Sequence, residues 1–221
     1  MTERVAIAGA TGYTGQRLIA QLAGHPEWSS RALVRAGSQA KPIFPLGQDF
    51  VVCNLNNPAD LAAALGGCAA VIQTIGTTQA QFGPGVSYET VDYGTTVALI
   101  EAARIAGARR FLLLSSTGAG QPVGAYLKWK RRTEQALRQS ELDWTIVRPA
   151  AIAGPGRRLI QLASSPFTAL SKLPLAGRIA ARLRPIDVAD LARCFIRCLE
   201  DPTTSRQILE GRRLWEVVAS S

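Results

Sequence analysis

The sequence predicts an α/β fold built on a doubly wound parallel sheet. Three observations support this prediction: an apolar strand runs into a glycine turn close to residue 9, strand-like and helix-like spacings alternate along the chain, and polar residues follow the apolar strands. Strands buried on both faces have near-continuous apolar runs, which is the pattern here. With 221 residues, 47% of them hydrophobic, the chain is expected to form a single domain over residues 1–221.

The composition argues against several classes of protein. No apolar run reaches the roughly 18–20 residues that a membrane span needs, and no signal-peptide pattern precedes the first strand, so we expect a cytoplasmic protein with no membrane partner. The four cysteines form no C-x-x-C pair and are expected to be reduced, and a single histidine argues against a metal site. The net charge of +9 comes from basic residues scattered along the chain. We interpret them first as solvated faces and second as contacts for anionic ligands, and we expect no nucleic-acid partner.

The glycine turn is the strongest motif. Val5–Gly15 reads VAIAGATGYTG, with glycines at positions 9, 12 and 15, and a helical apolar pattern follows. Gly9 is expected to allow the sharp turn, Gly12 to let the backbone approach a pyrophosphate, and Gly15 to let the helix pack closely on the sheet. Because a helix N-terminus presents N–H groups and a positive dipole end, this segment predicts a dinucleotide site.

The end of the second strand, predicted over residues 30–35, indicates which dinucleotide is bound. Folds that prefer NAD usually place an acid here for the ribose hydroxyls, whereas this chain has Arg35, which can pair with a 2′-phosphate. The sequence therefore favours NADP, with NAD as the alternative if Arg35 is simply a solvated strand end.

The other elements follow in alternation. Strands are predicted over 49–55, 69–75, 110–115 and 144–149, helices over 58–65 and 88–106, and a final helix over 187–199 followed by a short strand at 207–209. The helix usual within 36–47 is expected to be shortened or lost, and the irregular stretch 153–184 is expected to cover the substrate. Ligands of such sheets bind at the carboxyl ends of the strands. The predicted cofactor contacts are Gly9, Thr11, Gly12, Tyr13, Thr14, Gly15, Arg35, Asn54, Leu55, Thr74, Ile75, Gly76, Thr77, Lys130, Pro149 and Ile152.

Tyr126 and Lys130 form the candidate catalytic pair. They are four residues apart at the start of a predicted helix, so their side chains share one face and can converge on one site. They follow the fifth strand and its hydroxyl-rich end, Ser115–Thr117. The alternative is an ordinary pair on a helix surface.

Together these motifs resemble the atypical and extended short-chain dehydrogenase/reductase superfamily, in its NAD(P)-binding, NmrA-like and epimerase-like neighbourhood. In the order of that superfamily, the matching segments are the glycine turn, VDYGT at 91–95, FLLLSS at 111–116, Tyr126-x-x-x-Lys130, Arg148-Pro149 through Gly154-Pro155, and DVAD at 187–190. The resemblance covers nearly the whole chain and implies a Rossmann fold of about seven parallel strands.

The resemblance also implies roles for the catalytic candidates. Tyr126 would be the general acid/base, Lys130 would bind the nicotinamide ribose and favour the phenolate, and Ser116 would orient the substrate oxygen, with Thr117 as the next choice. A phenol is a poor base at neutral pH unless a nearby cation stabilises its anion. Lysine suits this role better than arginine because its ammonium is a compact point charge.

Three functions remain open at this stage. The first is an NADP-dependent reductase of a small carbonyl or quinone-like substrate, the second a cofactor-sensing regulatory protein without catalysis, and the third an epimerase or dehydratase acting on a sugar-like substrate. An intact Tyr126-x-x-x-Lys130 argues against the second, and the short region after the sixth strand argues against a nucleotide-sugar pocket. The expected partner is a small-molecule substrate, and the oligomeric state is left open.

Overall fold

A computed structural model of the chain describes residues 2–38, 44, 47–155 and 176–220. The strands are β1 (Glu3–Ala8), β2 (Trp28–Val34), β3 (Asp49–Val52), β4 (Ala70–Gln73), β5 (Arg110–Leu114), β6 (Asp143–Arg148), β7 (Ile152–Ala153), β8 (Ile186–Asp187) and β9 (Gln207–Glu210). The α-helices are α1 (Tyr13–Leu22), α2 (Pro58–Ala64), α3 (Thr95–Ile105), α4 (Gly124–Gln139), α5 (Ala176–Leu183), α6 (Val188–Glu200) and α7 (Arg212–Ala219). A π-helix spans Tyr88–Gly94, and 3-10 turns span Gln79–Gln81 and Pro202–Thr204.

The main sheet has seven strands over the described residues, in the order β3-β2-β1-β4-β5-β6-β9, and every neighbouring pair is parallel. The predicted α/β fold with a doubly wound parallel sheet of about seven strands is therefore confirmed. The strand order reverses between β1 and β4, which pair directly, with Val5 opposite Ala70. In folds of this type such a reversal opens a crevice at the carboxyl edge of the sheet.

Two apolar cores cover the two faces of the sheet. Along β1, Val5 and Ile7 point into one core with α1, α6 and α7, and Ala6 and Ala8 point into the other with α2, α3 and α4. This is the two-residue alternation of a strand, with both faces apolar because both are covered. The fully buried Phe195 lies in the first core, and Phe111 lies in the second.

The predicted start of the helix after β3 is confirmed. The side chain of Asn57 accepts hydrogen bonds from the N–H groups of Ala59 and Asp60, and Pro58 occupies the first turn of α2. Proline is tolerated there because the N–H that it lacks would have no partner within the helix. The four cysteines, at positions 53, 68, 194 and 198, are free and buried, as expected.

Two predicted elements differ from the structure. The helix expected over 88–106 begins as the π-helix and continues as α3, and in the wider turn Thr96 Oγ1 donates to the Asp92 carbonyl oxygen at 2.6 Å. The helix expected over 187–199 is not the last one, because α7 follows β9. The α7 helix is stabilised by distant contacts: Trp215 Nε1 donates to the Ala181 carbonyl oxygen at 3.1 Å, and Arg197 donates to carbonyl oxygens near its end.

Parts of two predictions lie outside the described residues. They are residues 39–43, 45 and 46 of the segment where a shortened helix is expected, and residues 156–175 of the expected substrate cover. Within the described ranges each helix is too short or too polar to span a lipid bilayer. The cytoplasmic location stays a prediction.

Candidate active site

A cleft of about 980 Å³ lies at the carboxyl edge of the sheet, where β1 and β4 meet. Its volume is at the upper end of the range for small-molecule and cofactor sites. Among the predicted cofactor contacts, those lining it are Gly9, Thr11, Gly12, Arg35, Asn54, Leu55, Thr74, Ile75, Gly76 and Thr77. The structure thus brings residues from the ends of β1 to β4 together around one cavity.

The glycine turn between β1 and α1 fits a dinucleotide. Gly9 has a φ of +85°, and a Cβ there would lie 2.6 Å from Thr74 Oγ1; a Cβ on Gly15 would overlap the Gly9 carbonyl oxygen. Side chains at either position would therefore fill the turn. Gly12 is the N-cap of α1, and no side chain caps the helix there. Uncapped N–H groups at a helix start bind phosphate oxygens, so the turn suits a pyrophosphate.

Arg35 lies at the rim of the cleft, directly after β2, with its side chain exposed. Among the described residues it has no ion pair with a carboxylate. The acidic lining residue Asp60 accepts a hydrogen bond from the Asn54 N–H instead. The guanidinium is therefore available to an anionic ligand at this end of the cleft.

Cys53 also lines the cleft, and its surroundings favour the neutral thiol. Burial, reinforced by the negative charge of Asp60, raises the pKa of the Cys53 thiol to about 11. A thiol with that pKa stays protonated at neutral pH, and only the thiolate is a good nucleophile. The residue contributes apolar surface to the cavity wall.

Six of the predicted cofactor contacts do not line the cleft, namely Tyr13, Thr14, Gly15, Lys130, Pro149 and Ile152. Thr14 and Gly15 are buried where α1 packs on the sheet, and Tyr13 Oη donates to the Pro155 carbonyl oxygen at 3.2 Å. The Pro149 carbonyl oxygen accepts from the Thr117 N–H, and Ile152 packs against the first core. A direct contact of these six with the cofactor stays a prediction.

Tyr126 and Lys130 lie on one face of α4. The Lys130 ammonium nitrogen is 5.7 Å from the centre of the Tyr126 ring. Lys130 is only 5% exposed, whereas Tyr126 is exposed by 36%. The arrangement places a buried cation behind a phenol that solvent or a substrate can reach.

Asp92 on the π-helix holds Lys130 in place. Lys130 Nζ lies 2.9 Å from Asp92 Oδ1, in an ion pair whose angles fall outside those of a hydrogen bond, and Oδ2 accepts from the Thr77 N–H at 3.0 Å. Both side chains are almost fully buried. The carboxylate therefore links the catalytic candidate on α4 to the backbone that follows β4.

The ion pair lies directly behind the wall of the cleft. A Cβ on Gly76, a lining residue, would be 3.5 Å from Asp92 Oδ1 and 3.6 Å from Lys130 Nζ. Both distances are ordinary van der Waals contacts, so Gly76 lies against the buried ion pair. Lys130 does not line the cleft itself, but its ammonium lies next to a residue that does.

The hydroxyls after β5 differ in how they are engaged. Thr117 Oγ1 donates to the Arg148 carbonyl oxygen at 3.0 Å, whereas Ser116 Oγ makes only a long contact of 3.4 Å with the Thr117 carbonyl oxygen. Ser116 is thus the hydroxyl more readily redirected to a substrate. In the described residues it has no hydrogen bond with Tyr126 or Lys130.

A buried ionic network connects α4, which carries Tyr126 and Lys130, to the ends of β5 and β6. Ser115 Oγ donates to Glu134, one turn beyond Lys130 on α4, and Arg148 at the end of β6 also binds Glu134. Arg148 Nη1 further pairs with Glu210 at 2.9 Å, and Glu210 pairs with Arg182 on α5. Burial opposes the charge of Arg148, but the hydrogen bonds to Glu134 and Glu210 outweigh it and raise the pKa of the guanidinium.

This network predicts a loss of stability in acid. Burial alone would raise the pKa of Glu210, but hydrogen bonds from Arg148 and Arg182 prevail and hold it below its usual 4.5. A carboxylate whose pKa is lowered by folding stabilises the protein above its unfolded pKa, and this contribution is lost as the pH falls through the folded pKa. At neutral pH we expect Glu210→Gln to lower the free energy of unfolding by about 1.5–3 kcal/mol. Urea titrations should show the deficit shrinking below about pH 4.5.

The matched control for this prediction is Glu101→Gln. Glu101 pairs with Arg104 on the surface of α3, where solvent screens the charges, so its loss should change the free energy of unfolding little at any pH. A deficit for Glu210→Gln that is constant across the acid range would contradict an ionic role for that carboxylate.

Sequence reasoning missed Asp92 and Glu134. Asp92 lies in the VDYGT segment quoted for the resemblance, and Glu134 follows Lys130 by one further helical turn, so both occupy recognisable positions. Neither position alone predicts which basic side chain the carboxylate pairs with. Pairing depends on how the π-helix packs against α4 and how β6 lies beneath it.

The fold and the cleft define a Rossmann-type dinucleotide-binding protein. A family model described as NAD(P)H-binding matches residues 9–202, and the chain belongs to that family of NAD(P)-binding oxidoreductases and epimerase-like proteins. The resemblance inferred from the motifs is thereby confirmed.

Three known proteins illustrate the range of this family. An "Uncharacterized sugar epimerase YhfK" of Bacillus subtilis is 33% identical over 171 residues, covering 72% of this chain and 78% of the relative. A "Ceramide reductase" of Caulobacter vibrioides is 35% identical over 208 residues, covering 90% of this chain and 61% of that longer protein. A solved structure, "Putative NAD-dependent epimerase/dehydratase from Bacillus halodurans", is similar with a TM-score of 0.71 at 25% identity, and the match covers 98% of both chains.

Proposed function

We propose that this protein is an NADPH-dependent reductase that transfers hydride to a small carbonyl or quinone-like substrate. The observation that carries the proposal is the position of the Lys130 ammonium, which lies behind Gly76 at the cleft wall on one side and 5.7 Å from the Tyr126 ring on the other. One buried cation can thus act on a bound ribose and on a phenol. The proposed location is the cytoplasm, and the proposed partner is the small-molecule substrate alone.

The proposed chemistry needs a hydride and a proton. NADPH, held by the glycine turn and by Arg35, would supply the hydride to the carbonyl carbon and would be released as NADP⁺. Tyr126 donates its hydroxyl proton to the carbonyl oxygen, which gives an alcohol, and is reprotonated from solvent. Lys130 stabilises the phenolate formed in that step, Asp92 fixes the ammonium, and Ser116 donates a hydrogen bond that orients the carbonyl oxygen.

A screen for turnover tests this proposal. Purified protein would be incubated with NADPH and a panel of aldehydes, ketones and quinones, and the loss of NADPH and the gain of product would be followed together. We expect stoichiometric oxidation of NADPH with at least one carbonyl class. Tight NADPH binding without turnover across the panel would favour a cofactor sensor instead.

The preference for NADPH over NADH is proposed from the exposed Arg35 at the cleft rim. Charge-assisted hydrogen bonds to a phosphate contribute about 1.5–3 kcal/mol, so NADPH should bind about 10- to 100-fold more tightly. Arg35→Ala should remove most of this difference in isothermal titration, whereas Arg17→Ala, which removes an exposed charge on α1, should not. Equal affinity of the unmodified protein for both cofactors would refute the proposal.

A second candidate function is epimerisation of a sugar-like substrate, favoured by the name of the Bacillus subtilis relative. An epimerase removes a hydride and returns it, so its cofactor shows no net change, whereas a reductase consumes one NADPH for each product. Net oxidation of NADPH therefore separates the two candidates.

A further inference from the structure

Three aromatic rings form a connected cluster around the proposed proton donor. Phe82, in the loop after β4, meets Tyr88 edge to face with ring centres 4.8 Å apart. The ring centre of Tyr88 in turn lies 5.3 Å from that of Tyr126. These spacings are within the range of favourable aromatic pairs, and they place an apolar surface beside the Tyr126 ring.

The outer part of this cluster is open. Phe82 is 44% exposed and Tyr126 is 36% exposed, while Tyr88 is buried beneath them; Val123, just before α4, is 85% exposed. Gln81 and Gly85, on either side of Phe82 in the same loop, line the cofactor cleft. The loop that carries Phe82 therefore contributes to the wall of the cleft.

Arginine side chains cover several other aromatic rings of this chain. Trp129 and Tyr93 are covered by Arg132, Trp144 by Arg138 and Trp215 by Arg184. Over the described residues, Phe82 and Tyr88 have no such cation, and the cation near Tyr126 is the buried Lys130. Such a surface suits a flat apolar ligand and offers no charged partner to a phosphate.

From these observations we infer that the substrate is an aromatic carbonyl compound whose ring packs on Phe82 while its carbonyl oxygen meets Tyr126. The inference rests on the proposed reductase function and narrows its substrate class. Apolar surface against an aromatic ring stabilises the complex through burial and ring packing, and loss of one such contact corresponds to about 10-fold in affinity.

The test compares naphthaldehyde with acetaldehyde, which carries the same reacting group without a ring. We expect kcat/KM to be higher for naphthaldehyde, and Phe82→Ala to lower the ratio of the two kcat/KM values about 10-fold. Phe50→Ala removes an exposed phenylalanine from the edge strand β3, whose ring packs on Phe44 and not on Tyr88 or Tyr126, and should leave the ratio unchanged. Equal ratios for the wild type and Phe82→Ala would overturn the inference.

A binding measurement separates this inference from the reductase proposal. Naphthaldehyde would be titrated into protein saturated with NADP⁺, which cannot reduce it, and the Kd measured by calorimetry for the wild type, Phe82→Ala and Phe50→Ala. If Phe82→Ala raises the Kd of naphthaldehyde about 10-fold and Phe50→Ala does not, the substrate class is supported. If the same binding is found in a protein that never turns over a carbonyl compound, only the reductase proposal is contradicted. The substrate class would be overturned if naphthaldehyde did not bind. It would also be overturned if Phe82→Ala left the affinity for naphthaldehyde unchanged but dissociated a dimer, because the cluster would then be a contact between two copies of the chain.

Discussion

Tyr126→Phe is expected to lower kcat by about 10²–10⁴ while leaving the Kd of NADPH nearly unchanged, because general acid/base catalysis contributes a factor of that size and only the hydroxyl is lost. The ring remains and can keep its packing on Tyr88. The measurements are steady-state kinetics on a confirmed carbonyl substrate and calorimetric titration with NADPH.

Tyr93→Phe is the matched control for this prediction. Tyr93 is also a half-buried tyrosine close to α4, but its ring packs against Trp129 and beneath Arg132. The control should retain the activity of the unmodified protein. Full activity of Tyr126→Phe on the same substrate would show that another group supplies the proton.

The second large effect is expected at Asp92. Asp92→Ala leaves the buried Lys130 ammonium without its carboxylate and the Thr77 N–H without its acceptor. Removing one partner of a buried ion pair costs about 3–5 kcal/mol, so the free energy of unfolding in urea should fall by that amount. NADPH affinity should fall as well, because the ammonium is no longer held at the cleft wall.

A double variant distinguishes the lost charge partner from a packing defect. In Asp92→Ala/Lys130→Met both charges are absent, so part of the lost stability should return, as it does when a buried pair is replaced by apolar groups. Asp92→Asn keeps the shape and an acceptor for the Thr77 N–H and should be less destabilising than Asp92→Ala. A double variant that is less stable than either single variant would contradict the ion-pair account.

The fold was predictable because its signals are local. At Gly9 a positive φ and close contacts exclude a side chain, and at Gly15 contact with the preceding turn excludes one. The turn therefore requires glycine at fixed positions, and this spacing is visible in the sequence alone. Strands buried on both faces likewise leave apolar runs, and Asn57-Pro58 marks the start of α2.

The elements and contacts that were missed depend on distant parts of the chain. The α7 helix is short and begins with two arginines, and it is held by Trp215 and by Arg197 from α6. The partner of Lys130 depends on a π-helix, whose wider turn has no simple sequence pattern. Glu134 shares a face with Tyr126 and Lys130, but its role follows only from its contact with Arg148 across the sheet.

The catalytic geometry combines a predictable part and an unpredictable part. The four-residue spacing brings Lys130 to Tyr126, whereas the fold places the same ammonium next to Gly76 at the cleft wall. The first is a property of any helix. The second exists only because β4 ends beside α4 in the folded chain.

Hydride transfer from the bound cofactor is the central claim, and deuterium tracing tests it most directly. The protein would be supplied with naphthaldehyde and with NADPH in which both hydrogens of the nicotinamide C4 are deuterium, and the alcohol product would be examined by mass spectrometry and NMR. The account predicts that the wild type forms an alcohol with one deuterium on the former carbonyl carbon. Tyr126→Phe should form far less of this alcohol. An alcohol without deuterium, or no alcohol from this or any other carbonyl compound, would contradict it.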